Sequence, residues 1–148
     1  VADIRCMPFE PNSVDEILAE GCIEHLSYRD WIPTAIHWFD ILKPGGWLFI
    51  ETPNLETIMK DWQANPGFID CHSFETLWGG QRNPAEYHLG LLSENNLYIV
   101  LTAAGFKEVQ ILKPTKNTDK ENWNLRMKAT KLYESNFPTC ARECCKVK

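Results

Sequence analysis

Residues 15–52 decide the fold; they read DEILAEGCIEHLSYRDWIPTAIHWFDILKPGGWLFIET. The short apolar run that ends at Gly21 is typical of a buried parallel strand. Apolar residues then recur at intervals of three and four, as on one face of an amphipathic helix: Ile32, Ala35, Ile36, Phe39 and Leu42. Glycines 45 and 46 end this helix, and residues 47–52 follow as a second apolar strand. The order strand, helix, strand predicts a βαβ unit with parallel strands.

Further elements follow along the chain. A capping box at residues 27–30 predicts the start of the first helix. Residues 55–62 have a short helical pattern, and residues 65–92, rich in Gly, Pro and aromatic residues, predict an irregular but ordered loop. Ser93 opens another helix that ends at Gly105, and a third strand follows. These later segments are residues 93–105, 106–112 and 123–131. In the last of them, apolar and cationic residues alternate strictly, which predicts an antiparallel strand near a sheet edge.

Composition and charge exclude several classes. The 148 residues are 44% hydrophobic and 24% charged, as in one globular domain. No apolar run approaches the roughly 20 residues of a membrane helix, and no secretory leader opens the chain, so we expect a cytoplasmic protein with no membrane partner. Residues 1–106 carry a net charge of −10 and residues 107–148 one of +5. The acidic body argues against a nucleic-acid partner.

Six cysteines are spread unevenly. Cys6, Cys22 and Cys71 lie in apolar surroundings and are interpreted as buried free thiols. The others form a group near the end of the chain: Cys140, Cys144 and Cys145. Zinc sites usually pair ligands at regular spacings. Neither Cys22 with His25 nor Cys71 with His72 has a matching partner, so we expect no metal.

Seven short motifs together carry a resemblance. They are Asp3–Phe9, Ser13–Leu18, Ile23–Leu26, Leu42–Gly46, Leu48–Ile50, Pro53–Asn54 and Ala104–Phe106. In this order and spacing they resemble the second half of a class I S-adenosylmethionine-dependent methyltransferase, over about residues 1–131. The segment Leu77–Gln81, with His88 seven residues later, resembles a bacterial subgroup of predicted methyltransferases. The resemblance implies the C-terminal portion of a Rossmann-like α/β fold, with parallel strands and a final antiparallel edge strand.

The resemblance also implies a cofactor and the residues that bind it. The cofactor is S-adenosylmethionine, whose adenine would be bound by the Asp3 carboxylate and the Ile4 backbone N–H. Glu20, Gly21 and His25 would border its methionine part, at the carboxyl edge of the sheet. His25 is equally well interpreted as a capping or packing residue.

Other residues are expected on the substrate side. Pro53, Asn54, Gln81 and His88 follow elements that end at the same sheet edge, where loops commonly contact substrates. Asn54 is also a good helix N-cap, which we prefer. His25 and His88 are the candidates for a catalytic role, and a base is needed only where the methyl acceptor is protonated.

One part of the family pattern is missing. Family members begin with a strand and a glycine-rich loop that approaches the cofactor, but this sequence has no Gly-x-Gly. We therefore expect a partial methyltransferase domain at 1–132, with an active-site-side loop at 65–92, and a flexible tail at 133–148. Without the first strand, the strand that ends at Gly21 has a bare edge. That edge predicts either a missing N-terminal portion or a homo-oligomer.

The predicted function follows from this resemblance. We expect methyl transfer from S-adenosylmethionine to a small-molecule or glycan-like acceptor, with cofactor binding weakened by the absent glycine loop. The alternative is a non-catalytic module that keeps this half of the fold and self-associates through its bare strand edge.

Overall fold

The computed structural model describes residues 3–64, 71–113 and 123–133. Within them lie four strands: β1 (Val14–Glu20), β2 (Leu42–Pro53), β3 (Lys107–Ile111) and β4 (Asn124–Thr130). Four α-helices connect them: α1 (Trp31–Ile41), α2 (Leu55–Ala64), α3 (Cys71–Trp78) and α4 (Glu94–Ala103). Two short 3₁₀ turns complete the described elements, at Ile23–His25 and Pro84–Glu86.

The four strands form one mixed sheet in the order β1-β2-β4-β3. β1 and β2 pair in parallel through α1, which confirms the predicted βαβ unit. β4 is antiparallel to both β2 and β3. The Rossmann-like α/β class and the antiparallel final strand are thus confirmed. The structure places β4 one position inside the edge, because β3 covers its outer side.

The hydrophobic core lies between the sheet and the helices α1 and α4. Trp38 and Phe39 of α1 are buried, and the Phe39 ring meets Phe106 edge to face at 5.1 Å. The alternate residues Leu125, Met127 and Ala129 of β4 face the same core, as their period of two requires. Burial of this apolar surface is the main stabilising contribution to the sheet.

The start of β2 is tied to the end of β4 by one buried lysine. Lys131 is 0% exposed, and its Nζ donates to Asn12 Oδ1 at 2.7 Å and to the Leu42 carbonyl at 2.7 Å. It also lies 4.8 Å from the centre of the Phe39 ring. A buried ammonium needs such acceptors, because it has lost its water.

β1 has a different environment on each side. Within the described residues it pairs only with β2, so its outer edge is bare, as expected. Ala19 faces the core, whereas Leu18 points to the opposite face of the sheet and is 63% exposed. An apolar strand with one open edge is a ready template for another strand.

Three local predictions are wrong. Glycines 45 and 46 do not end α1, which ends at Ile41; both lie within β2. Residues 71–78, expected within an irregular loop, form α3. This stretch has no Gly or Pro, its apolar residues Phe74, Leu77 and Trp78 recur at helical spacing, and Gly79 ends it. The capping box at residues 27–30 does not form, because the α1 N-cap is Asp30 and its side chain makes no cap hydrogen bond.

The cysteine interpretations have mixed outcomes. Cys22 is a free thiol, as predicted, and burial raises its pKa to about 11. Cys6 is disulfide-bonded, so the prediction of a free thiol is wrong there. The side chains of Cys71 and His72 lie outside the described residues, as do Cys140, Cys144, Cys145 and the expected tail from residue 134 onward. None of the helices in the described part is both long enough and apolar enough to cross a bilayer.

Candidate functional site

The candidate site lies at the carboxyl ends of β1 and β2. In open α/β sheets, ligands bind at this edge because the connecting loops leave the strands there. Gly21 follows β1 directly, and its backbone N–H donates to the Glu51 carbonyl of β2 at 2.9 Å. The 3₁₀ turn Ile23–His25 follows and brings two polar side chains to the edge.

Glu24 is the most buried acidic residue of this edge, at 2% exposure. Its Oε2 accepts a hydrogen bond from the Thr52 hydroxyl at the end of β2, at 3.1 Å. Its backbone carbonyl accepts from the N–H groups of Leu89 and Gly90, at 2.8 and 3.2 Å. Glu24 therefore links the turn after β1 to the end of β2 and to residues 89–90, which are far apart in sequence.

His25 and His88 lie side by side. Their ring centres are 4.8 Å apart, with the planes at 77° in an edge-to-face contact. Nδ1 of His25 lies 3.0 Å from the Tyr87 carbonyl, and Nδ1 of His88 lies 2.9 Å from the Thr76 carbonyl. Since a carbonyl only accepts, both Nδ1 atoms carry a hydrogen, and Nε2 is the ring nitrogen that can act as an acceptor.

Two glycines hold the loop that carries His88. Gly79 ends α3 with φ of 77°, and a β-carbon there would overlap the backbone of Glu86. This close approach lets the His88 N–H donate to the Trp78 carbonyl at 3.1 Å. Gly90 packs directly against the Trp31 ring, where a β-carbon would overlap the indole. The loop position of His88 thus depends on both glycines.

The environment of His88 favours its neutral form. Burial lowers the pKa of His88, and the nearby His25 lowers it further, while the Thr76 carbonyl and the Glu24 charge act in the opposite direction. Desolvation is the largest of these effects, because an imidazolium loses more hydration energy than an imidazole. At neutral pH the ring is therefore an acceptor at Nε2.

Comparison with known proteins places this site in a family. The family described as "Methyltransferase domain" matches residues 6–111, which include β1, α1, β2, α4 and both histidines of the site. The chain belongs to this methyltransferase family. A search of curated protein sequences found no match to this chain.

Solved structures confirm the fold. A methyltransferase from Methanosarcina mazei superposes with a TM-score of 0.61 at 17% identity, covering 90% of this chain and 66% of its own. One from Thermotoga maritima gives 0.58 at 18% identity, covering 88% and 62%. Human N-acetylserotonin methyltransferase, solved with S-adenosylmethionine, gives 0.58 at 14% identity, covering 88% and 32%. This chain thus covers less than two thirds of the length of each of these proteins.

The residues expected to bind the adenine lie together at the start of the domain. The Asp3 carboxylate is half-exposed and is held by Arg5, whose Nη2 lies 2.7 Å from Oδ2. The Arg5 hydrogen bond is the main reason why the pKa of Asp3 is lowered. Arg5 also reaches Asp30 at the start of α1, at 3.6 Å. A ligand amino group at Asp3 would share this carboxylate with Arg5.

Gly21 fits the close approach of a cofactor. It is exposed, its φ is 57°, and the nearest atom to a β-carbon built there is Glu24 Oε1, at 3.8 Å. The space beside this backbone is open, so a ligand can lie directly against it. Glu20, one residue earlier, is also exposed. Among the described residues, none accepts a hydrogen bond from the N–H of Ile4.

The remaining expected residues are less closely connected with the histidines. Pro53 and Asn54 are buried, and Asn54 Oδ1 accepts from the Glu56 N–H at 3.0 Å. This bond confirms the preferred role of Asn54 as the cap of α2. Gln81 is exposed in the loop after Gly79, with φ of 53°. The sequence interpretation did not single out Glu24, although an acidic residue beside His25 in a turn after a strand was a usable signal.

Proposed function

We propose that this domain takes part in S-adenosylmethionine-dependent methyl transfer to a small-molecule or glycan-like acceptor, with His25 and His88 on the acceptor side. The observation that carries the proposal is the contact between the two imidazoles at the carboxyl edge, beside the open backbone of Gly21. When bound, S-adenosylmethionine supplies a methyl group on a positively charged sulfur.

The cofactor side is assigned to the segments at the ends of the strands. Asp3 and the Ile4 N–H bind the adenine, while Glu20 and Gly21 border the methionine part. A carboxylate suits the amino group of adenine because it can only accept. In the family, a glycine-rich loop makes further contacts with the cofactor.

The acceptor side is assigned to His25 and His88. With Nδ1–H held by backbone carbonyls, each ring offers Nε2 to an O–H or N–H of the acceptor. The exposed side chains of Trp78, Tyr87 and Leu89 lie in the same segment as His88 and offer apolar surface for a small organic molecule. Alignment of the acceptor with the methyl group is the main requirement of the reaction.

Calorimetric titration with S-adenosylhomocysteine tests the cofactor half. We expect micromolar binding by the chain and at least tenfold weaker binding by Asp3→Ala. Asp15→Ala is the matched control, because Asp15 is also exposed and paired with a cation, Lys43 at 2.7 Å, but lies at the other end of β1. No detectable heat at millimolar ligand, or equal weakening by both variants, would contradict the cofactor assignment.

Product formation tests the acceptor half. S-adenosylhomocysteine release is measured with phenol, catechol and primary-amine acceptors, comparing the chain with His88→Gln. We expect the substitution to lower the rate by roughly 10²-fold or more, as for loss of a general acid or base, without changing S-adenosylhomocysteine affinity. An unchanged rate in His88→Gln would contradict the role of His88.

A second candidate function rests on the bare edge of β1. A non-catalytic module would use this edge to pair with a second copy, since the described residues leave it without a partner strand. Sedimentation equilibrium distinguishes the two candidates when combined with the titration above. A dimer without cofactor binding favours the module, and a well-folded monomer excludes it.

A further inference from the structure

We propose that Glu24, His25 and His88 together bind a divalent transition-metal cation. One ligand atom from each residue lies within 4.8 Å of the others. The set comprises a carboxylate and two imidazoles, which is a recurrent ligand set for zinc and for other first-row metals. Small movements of the side chains suffice to bring the three atoms onto one ion.

Each of the two imidazoles has one ring nitrogen held by a hydrogen bond and one that is open. Each donates Nδ1–H to a backbone carbonyl, His25 to Tyr87 and His88 to Thr76. Such outer hydrogen bonds fix the tautomer and direct the other ring nitrogen to the ion. Within the described residues, neither Nε2 atom has a hydrogen-bond partner. Packing alone does not require two adjacent rings with both acceptors left open.

The Glu24 carboxylate has the same arrangement of one fixed and one open atom. Oε2 accepts from the Thr52 hydroxyl, whereas Oε1 accepts no hydrogen bond in the part of the chain that the structure describes. Oε1 is directed to the open space beside Gly21. A carboxylate at 2% exposure is costly to bury unless a cation or hydrogen bonds compensate its charge. A divalent cation provides this compensation.

The backbone keeps the three ligands together. The Glu24 carbonyl accepts from Leu89 and Gly90, so the turn that carries His25 is bonded to the segment that follows His88. Glu24 and His25 lie more than 60 residues before His88 in the sequence, which is why the cysteine and histidine spacings did not predict this site. The proposed ligands also differ from the cysteine-containing combinations considered from the sequence.

The ligand set favours Zn²⁺ over Mg²⁺ or Ca²⁺, because imidazole nitrogens suit zinc whereas the other two prefer oxygen. Three protein ligands leave at least one position for water or an acceptor oxygen. With both Nε2 atoms on the cation, the acceptor oxygen would bind the cation instead of Nε2, and it would lose its proton more readily because the cation lowers its pKa. This last step rests on the proposed function and narrows the acceptor to molecules with an oxygen donor; binding of the cation itself does not depend on it.

The experiment is a titration of the chelator-treated chain with Co²⁺, followed by its visible absorption, and then competition with Zn²⁺. We expect one ion per chain and loss of the Co²⁺ spectrum when Zn²⁺ is added. Glu24→Gln and His88→Gln each weaken binding by roughly 10²-fold or more, since even outer-shell changes cost 10- to 100-fold. Glu56→Gln and His37→Gln, outside the cluster, leave the affinity unchanged, and circular dichroism checks the fold of each variant.

Cysteines are the competing metal ligands, so the titration is repeated with Cys22→Ser and with a variant in which Cys140, Cys144 and Cys145 are all serine. Unchanged binding supports the proposal. Loss of binding in either cysteine variant, or no binding by the chain at millimolar Co²⁺, overturns it. S-adenosylhomocysteine titration of the same samples separates the two hypotheses, because cofactor binding without cation binding overturns the metal site alone.

Discussion

The Glu86 carbonyl lies so close to Gly79 that a β-carbon at position 79 would overlap it. Gly79 also has φ of 77°, so a side chain is excluded both by contact and by backbone conformation. Because the His88 N–H bonds to Trp78, next to this glycine, the contact determines where the His88 ring lies.

Gly79→Ala should therefore displace the loop and separate His88 from His25. We expect a loss of about 2–4 kcal/mol in the free energy of unfolding, from strain and overlap together. The control is Gly45→Ala, because Gly45 has a similar φ of 85° but open space around it. It should lose only about 1 kcal/mol. Urea unfolding measures both, and equal losses would contradict the importance of the Glu86 contact.

Gly90 and Trp31 should show energetic coupling. A β-carbon at position 90 would overlap the indole, whose Nε1 donates to the Ile23 carbonyl at 3.2 Å. Gly90→Ala should destabilise the fold by about 1–3 kcal/mol through overpacking. In the Trp31→Phe background the same change should cost at least about 0.5 kcal/mol less. A double-mutant cycle by urea unfolding tests this, and strict additivity would refute it.

The pair Glu51 and Arg126 should make stability depend on pH. Arg126 Nε lies 2.6 Å from Glu51 Oε2, and this hydrogen bond is the main reason why the pKa of Glu51 is below its usual 4.5. A depressed pKa means that the stabilisation is complete above the unfolded-state pKa and is lost as pH falls through the folded-state pKa.

Glu51→Gln should accordingly lower the free energy of unfolding by roughly 1–3 kcal/mol at pH 7, and the difference from the unmodified chain should shrink below pH 4.5. Glu56→Gln, an exposed change on α2, serves as the comparison. Thermal unfolding at several pH values measures the effect. A difference that stays constant down to the lowest pH would exclude the ion pair as its cause.

Lys131 should be far more important for stability than Lys128. Lys131→Met removes the ammonium from acceptors on Asn12 and Leu42, and we expect a loss of about 2–4 kcal/mol. Lys128→Met, which removes only a contact of 4.2 Å with the Trp47 ring, should cost about 0.5–1 kcal/mol. Equal losses, measured by urea unfolding, would show that the acceptors around Lys131 contribute little.

Local patterns predicted the sheet well because its signals lie close together in sequence. The βαβ unit follows from apolar periodicity and from Gly21, which directly follows the strand that it ends. The alternation in β4 also places Lys131 on the apolar side, so the burial of this lysine could have been predicted from the sequence. By contrast, α3 was hidden between segments rich in Gly and Pro, whose composition resembles a loop.

The candidate site could be predicted only in part. His25 and His88 were both singled out, but from a resemblance and not from any sign that they meet. Their contact depends on the bonds from Leu89 and Gly90 to Glu24, which join residues more than 60 positions apart. Sequence spacing does not record such contacts, so Glu24 went unnoticed as the third member of the group.

The position of β4 has a consequence for how the domain is made. β3 precedes β4 in the chain but contacts the described sheet only through it. During synthesis on the ribosome, β3 is made before β4. It can join the described sheet only after β4 has emerged and paired with β2. Sheet formation should therefore finish late, and a nascent chain that stops before Asn124 lacks two strands of the sheet although only one is missing from its sequence.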